Sequence, residues 1–151
     1  MEKEAQALQE LSDNTEMHIP IFGYELIREI LLNDILGKDS PHVLYWAGKQ
    51  LARKFPLHNI DEIINFFSIA CWGDLTLVKQ SKDEIEMTLT GIMVERRFDL
   101  NTACHFQLET GFLAEQISLQ RKFTAEGAEE TKRRARRATI FVKLDLKDPI
   151  E

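Results

Sequence analysis

Cysteine is scarce in this chain of 151 residues, and its two copies, Cys71 and Cys104, stand far apart with no CxxC or other paired spacing. That excludes a disulfide framework and fits a reducing cytoplasm, where a lone cysteine is usually a small buried hydrophobe. Long apolar runs are missing as well. The longest uncharged stretch, Ile63 to Gly73, falls far short of the ~20 residues that a membrane span needs. Residues 1–19 are rich in Glu and Gln and hold no apolar run, so no secretory signal is expected. Positive charge is in deficit: 19 Lys and Arg against 25 Asp and Glu leave a net charge of −6 and a pI near 5.3. General nucleic-acid binders carry the opposite balance on a basic face. No Ser-His-Asp order, glycine-rich phosphate loop or paired-carboxylate motif occurs, and His18, His42, His58 and His105 have no evident catalytic partner. A non-enzymatic cytoplasmic protein without cofactor, metal, nucleic acid or membrane span is the expectation.

What is present is an ordinary globular composition, 44% hydrophobic and 29% charged. The length suits one domain that buries roughly two-thirds of its unfolded surface. Residues 1–18 carry too little apolar surface to fold alone and are expected to be a mobile leader, with one helical turn around Ala5 to Leu11. Residues 19–151 should form a single α+β domain.

Within it, Tyr24, Ile27, Ile30, Leu31 and Ile35 form the apolar stripe of a helix from about Phe22 to Leu36, with Gly37 just past its end. Ser40-Pro41 opens a second helix, serine as cap and proline at the first helical position. Leu44, Gly48, Leu51 and Phe55 are its core stripe. Asn59 caps a third helix, with Glu62 placed for a capping box. The period then changes: Leu75 and Leu77, then Ile85, Met87 and Leu89, alternate with polar residues about the turn Ser81-Lys82-Asp83, as a hairpin with one wet face does. Ile92 to Phe98 is expected as a third strand after a bend at Gly91, and Ala125 to Arg137 as a charged helix. Ile140, Val142, Leu144 and Leu146 give a last strand. The fold class is α+β, a mostly antiparallel sheet of about four strands with helices packed on one side.

The segment from Cys104 to Ile117 is apolar on two sides. Cys104, Leu108 and Phe112 share one stripe with Gly111 and Glu115, and Phe106, Leu113 and Ile117 form another. A helix covered on two sides is the central helix of a domain.

His42 to Pro56 (HVLYWAGKQLARKFP), Trp72 to Thr76, the segment Cys104 to Gln116 and the ending Lys147-Asp148-Pro149 resemble the bacterial YslB-like family in the same order, over nearly the whole chain from Tyr24 onward. The resemblance implies a fold related to vinyl-reductase-type ligand-binding domains and TRAPP vesicle-tethering subunits, which often dimerise through helices and enclose an apolar pocket. It implies no activity. Vinyl-reductase-type domains often bind zinc through several cysteines; this chain keeps Cys104 but lacks the companions, so a structural zinc is not expected. TRAPP subunits can hold an acyl chain on a cysteine, and neither Cys71 nor Cys104 is assigned to that position.

Two kinds of candidate site follow. A small apolar ligand would lie between sheet and helices, lined by Phe67, Trp72, Cys104, Phe106, Gly111, Phe112 and Glu115. Gly111 serves either a ligand's approach or close helix packing, and Glu115 either a pocket or an ion pair with an arginine. A homodimer or partner surface would use Leu32, Leu36, His42 and Trp46, since exposed large aromatics anchor interfaces; alternatively Trp46 only stacks with Lys49 or Arg53. Cys104, His105, Glu109 and Glu115 are metal-ligand types that cannot converge from one helix. The basic cluster Lys132 to Arg137 is expected to be neutralised by Glu129 and Glu130 one helical turn earlier.

Overall fold

The change of period at residue 74 marks where the sheet begins. A computed structural model describes residues 2–13 and 17–151. Strand β1 (Asp74–Gln80) pairs antiparallel with β2 (Glu84–Thr90), as the alternation predicts. The sheet is completed by β4 (Arg137–Pro149) beside β2 and β3 (Phe123–Lys132) at the far edge, giving the order β1-β2-β4-β3 with every pair antiparallel. Leu75, Ile85, Met87, Leu89, Ala138, Ile140, Val142 and Leu144 are buried on one face. The alternate residues Glu84, Glu86, Thr88 and Thr90 face away, half exposed.

Helix α7 (Gln107–Arg121) lies on this face against β3 and β4, and α4 (Ser40–Lys54) lies on α7. Covered from both sides, α7 buries every residue from Glu109 to Ser118, so it is the central helix that its two apolar lines predict. Gly48 and Gly111 let the two helices meet backbone to backbone. Helix α5 (Ile60–Ile69) covers β1 and α6 (Ile92–Leu100) covers β2. At the start of α5 the Asn59 side chain accepts from the Glu62 amide at 2.9 Å, and its own amide donates to the Glu62 carboxylate at 3.2 Å.

The amino-terminal part is helical. Residues Glu2–Asp13 form α1, longer than the single turn expected, while Met1 and residues 14–16 of the expected leader lie outside the described residues. A rod follows: α2 (Ile21–Glu25), a π-helical turn (Leu26–Leu31) and α3 (Leu32–Leu36). Gly37 ends the rod at φ 60°, and a 3-10 turn, Gly37–Asp39, leads into α4.

Four expectations are corrected. Ile92 to Phe98 is helix α6, not a strand; Val94, Arg97 and Phe98 are buried at helical spacing, and Gly91 (φ 106°) precedes the helix. Residues 125–137 are strand and turn, not helix. The exposed residues Glu126, Ala128, Glu130 and Lys132 alternate, and pairing with β4 along the whole of β3 overrides a weak helical propensity. The helical ion pairs expected of Glu129 and Glu130 therefore do not form: Glu129 receives the Phe106 amide, and Glu130 pairs with its strand neighbour Lys132. Ser40 does not cap α4 but sits inside its first turn. Lastly, the stripe Ile27, Ile30, Leu31 and Ile35 is exposed rather than core, with Tyr24 half-buried.

Candidate functional site

The rod 21–36 is turned inside out. Glu25, Arg28 and Glu29 recur at the spacing of one helical face, and these three are its buried residues. Phe22, Leu26, Ile27, Ile30, Leu31 and Ile35 point to solvent, Phe22 at 65% and Ile35 at 68% exposure. A surface helix ordinarily does the reverse.

Ion pairs hold the polar face inward. Arg28 donates through Nη2 to both oxygens of Glu109 on α7, at 2.8 and 2.9 Å, with Glu109 fully buried and Arg28 at 5% exposure. Arg97 of α6 donates to Glu29 at 2.5 Å, reaches Glu109 at 3.5 Å, and gives its other amine to the His105 carbonyl at 2.7 Å. Arg96 grips Glu25 with two bonds of 2.9 and 2.7 Å. Burial alone would raise the Glu109 carboxyl, but Arg28 and Arg97 outweigh it and hold the group below its ordinary value. Glu25 is lowered chiefly by the hydrogen bonds from Arg96. These ion pairs are not fully satisfied, since Arg28 Nε and Glu29 Oε2 are buried without a hydrogen-bond partner among the described residues. Such a network gives orientation more than stability, because desolvating the charges offsets most of their attraction.

A neutral chain of hydrogen bonds runs alongside. His105 Nδ1 accepts from the Gln107 amide at 3.4 Å, which leaves the proton on Nε2 to donate to the Ser40 hydroxyl at 3.2 Å. Ser40 in turn donates to Asn33 Oδ1 at 3.3 Å, and the Asn33 amide donates to the Glu29 carbonyl at 2.8 Å. Burial first, and Arg97 second, lower the pKa of His105.

The seven residues expected around a pocket separate into three settings. Phe67, Trp72 and Phe112 come together with Phe66, ring against ring: Phe66 stacks on Phe112 at 4.6 Å, and Trp72 stands edge-on to Phe67 at 5.0 Å and to Phe112 at 5.1 Å. Phe106 lies apart from them, against Phe98 and beneath the Arg97 guanidinium at 4.4 Å. Cys104 is buried just before α7, and burial raises its thiol pKa. Gly111 meets the Tyr45 carbonyl of α4, so at this position the close approach is a helix. Glu115 takes the ion-pair alternative, with Arg53 Nε at 2.6 Å. Among the described residues no group of three His, Cys, Asp or Glu side chains could hold a metal ion.

Of the residues expected at an interface, Trp46 is 62% exposed and His42 is exposed, whereas Leu32 and Leu36 are half-buried. Both cations offered to Trp46 are engaged elsewhere. Lys49 sits 5.1 Å over the Tyr45 ring and pairs with Glu126 at 2.8 Å, and Arg53 holds Glu115. The sequence shows the rod's apolar stripe but neither that the stripe faces outward nor that Glu25, Arg28 and Glu29 face inward. The signal available was that Glu25, Arg28 and Glu29 share one stripe, which marks a second face without saying which one is covered.

A family model described as "Protein of unknown function (DUF2507)" matches residues 21–143, a span that includes the whole ion-pair network. The chain belongs to the DUF2507 family. It is 47% identical over 135 residues to "Uncharacterized protein YslB" of Bacillus subtilis (strain 168), covering 89% of this chain and 91% of that protein. A solved vinyl-4-reductase family protein from Methanocaldococcus jannaschii superposes with a TM-score of 0.67 over 93% of this chain and 94% of its own, at 16% identity. At that identity the likeness shows the fold alone. This DUF2507 chain therefore has the α+β, vinyl-reductase-like architecture that its motifs imply. Among the described residues no helix is long and apolar enough to cross a membrane.

Proposed function

We propose that this protein is a non-enzymatic cytoplasmic binding module that works as a homodimer through the outward apolar face of rod 21–36, together with Val43 and Trp46 of α4. The observation that carries this reading is the inversion of the rod. Three ion pairs from the rod to α6 and α7, Arg28–Glu109, Arg97–Glu29 and Arg96–Glu25, turn six large apolar side chains to the outside. With Val43 and Trp46 these side chains expose on the order of 700 Å², near the ~800 Å² that each partner contributes to a stable interface. It is also more than the ~300–600 Å² patch of a typical monomer. A second copy fits because an apolar helical face is self-complementary across a two-fold axis. The helical dimerisation that the family resemblance implies points to the same partner.

The reading with an apolar internal pocket is the less favoured, because the rings that would line it stand in contact with one another. Native mass spectrometry tests both. A dimer of twice the 17.5 kDa chain is expected, and Ile30→Lys with Ile35→Lys should return it to monomer. A wild type that is monomeric at every concentration removes the homodimer. Extra mass that is lost on unfolding would restore the pocket.

A further inference from the structure

The basic cluster changes its meaning once it is placed. Lys132 to Arg137 is the tip of the β3–β4 hairpin, closed by the Arg136 amide on the Arg133 carbonyl at 3.2 Å, with Arg136 at φ 53°. Two of its five cations are neutralised within the fold. Lys132 pairs with Glu130, while Arg136 pairs with Asp99 and Glu95 and donates to the Glu95 carbonyl at 3.2 Å. Arg136 thereby pins the tip against α6. Arg133, Arg134 and Arg137 have no carboxylate within ion-pair distance among the described residues. Three guanidinium groups, unpaired among the described residues, are thus borne on residues 133–137 at the hairpin tip.

Beside them is a cleft of about 230 Å³ lined by Phe98, Asp99, Thr102, Arg133 and Arg136. It is smaller than the ~300–1,000 Å³ of a ligand pocket and suits a single side chain. Phe98 gives it an apolar wall, and Leu100, at the end of α6, is 55% exposed.

We propose that this hairpin tip is a docking point for an acidic segment of a partner protein, two or three carboxylates flanking one apolar side chain. The carboxylates meet Arg133, Arg134 and Arg137 in the two-pronged geometry that guanidinium favours, and the apolar side chain enters the cleft beside Phe98. The charge of the remainder selects a short acidic segment over nucleic acid. Five of the chain's 19 basic residues lie in these six positions, while its 25 acidic residues are distributed elsewhere. A phosphate backbone continuing past the tip would run onto an acidic surface; a peptide's charge can stop where the cations stop. This surface is independent of the apolar rod, so it stands whether or not the chain dimerises.

The test is fluorescence anisotropy of the full-length protein with a short labelled peptide of glutamates flanking one leucine, alongside its glutamine counterpart. The glutamate peptide should bind at least about tenfold more tightly, and should weaken as salt rises from about 0.1 to about 1 M. The combined variant Arg133→Ser, Arg134→Ser, Arg137→Ser should lose about tenfold in affinity with an unchanged melting temperature and mass, because none of the three has an ion-pair partner among the described residues. A glutamate peptide with glycine in place of the central leucine should bind more weakly, and equal affinity would remove the cleft from the site. Equal binding of the two peptides, or wild-type affinity in the triple variant, overturns the proposal. So does displacement of the peptide by a lower concentration of single-stranded RNA of similar length.

Discussion

A methyl group added at Gly111 would stand 1.9 Å from the Tyr45 carbonyl oxygen, and one at Gly48 would stand 2.2 Å from that of Leu108. Both contacts are with backbone, so neither can be relieved by turning a side chain. Gly111→Ala should therefore cost at or above the upper end of the ~1–3 kcal/mol usual for overpacking, measured by urea unfolding. Gly48→Ala should behave alike, because each glycine opens the same helix pair; an unchanged midpoint for either would mean that α4 and α7 separate without loss. Glu109 is a different kind of residue. Its carboxylate is the shared partner of Arg28 and Arg97 at full burial. Glu109→Gln keeps the shape but removes the charge that both cations face, and should cost about 3–5 kcal/mol. A loss under about 1 kcal/mol would mean that the guanidinium groups reach water.

At the scale of elements, the rod is fastened by charges on one side and by the His105-Ser40-Asn33 chain on the other. The folded pKa of His105 lies below 6.5, so between the two values the unfolded chain binds more protons. The stability tied to His105 is complete above pH 6.5 and is lost as pH falls through that value toward the folded pKa. His105→Gln should flatten the slope of unfolding free energy against pH just below 6.5; an identical slope in the variant would assign it to other groups. Glu109 and Glu25, both lowered from 4.5, add their own loss only as pH drops below that value. The elements that were legible in sequence are those whose period agrees with their burial: the β1–β2 hairpin, β4, the Asn59-capped helix and the doubly apolar α7. Those misread had a local pattern that tertiary contact overrode. Residues 125–132 have helical composition, yet they pair with β4, and Gly127 comes against Thr110 of α7 where a side chain would collide. Ile92 to Phe98 follows a hairpin and a glycine bend, as a further strand would, while Val94 and Phe98 keep the helical spacing that prevails. The rod's stripe was legible as a stripe. Its direction was not, since it depends on Arg97 and Glu109, some seventy to eighty residues away in sequence.

For the whole molecule, an apolar face turned outward has a thermodynamic signature that a buried one lacks. If two copies bury it between them, unfolding is coupled to dissociation, and the melting temperature must rise with protein concentration. A monomer with the same exposed face would show no such rise, only aggregation at high concentration. The expected result is a steady increase in melting temperature across about a hundredfold concentration range. Ile27→Ser with Ile35→Ser should abolish the dependence while leaving the dilute-limit stability close to wild type, because both side chains are already exposed, at 57% and 68%. Trp46→Ala separates the two parts of the face. If it lowers the concentration dependence as far as the isoleucine pair does, α4 and the rod form one interface. If it leaves the dependence intact, Trp46 is free for another partner and the dimer rests on the rod alone. A wild-type melting temperature independent of concentration would leave the inverted rod as the seat of a different protein, held ready by the same ion pairs.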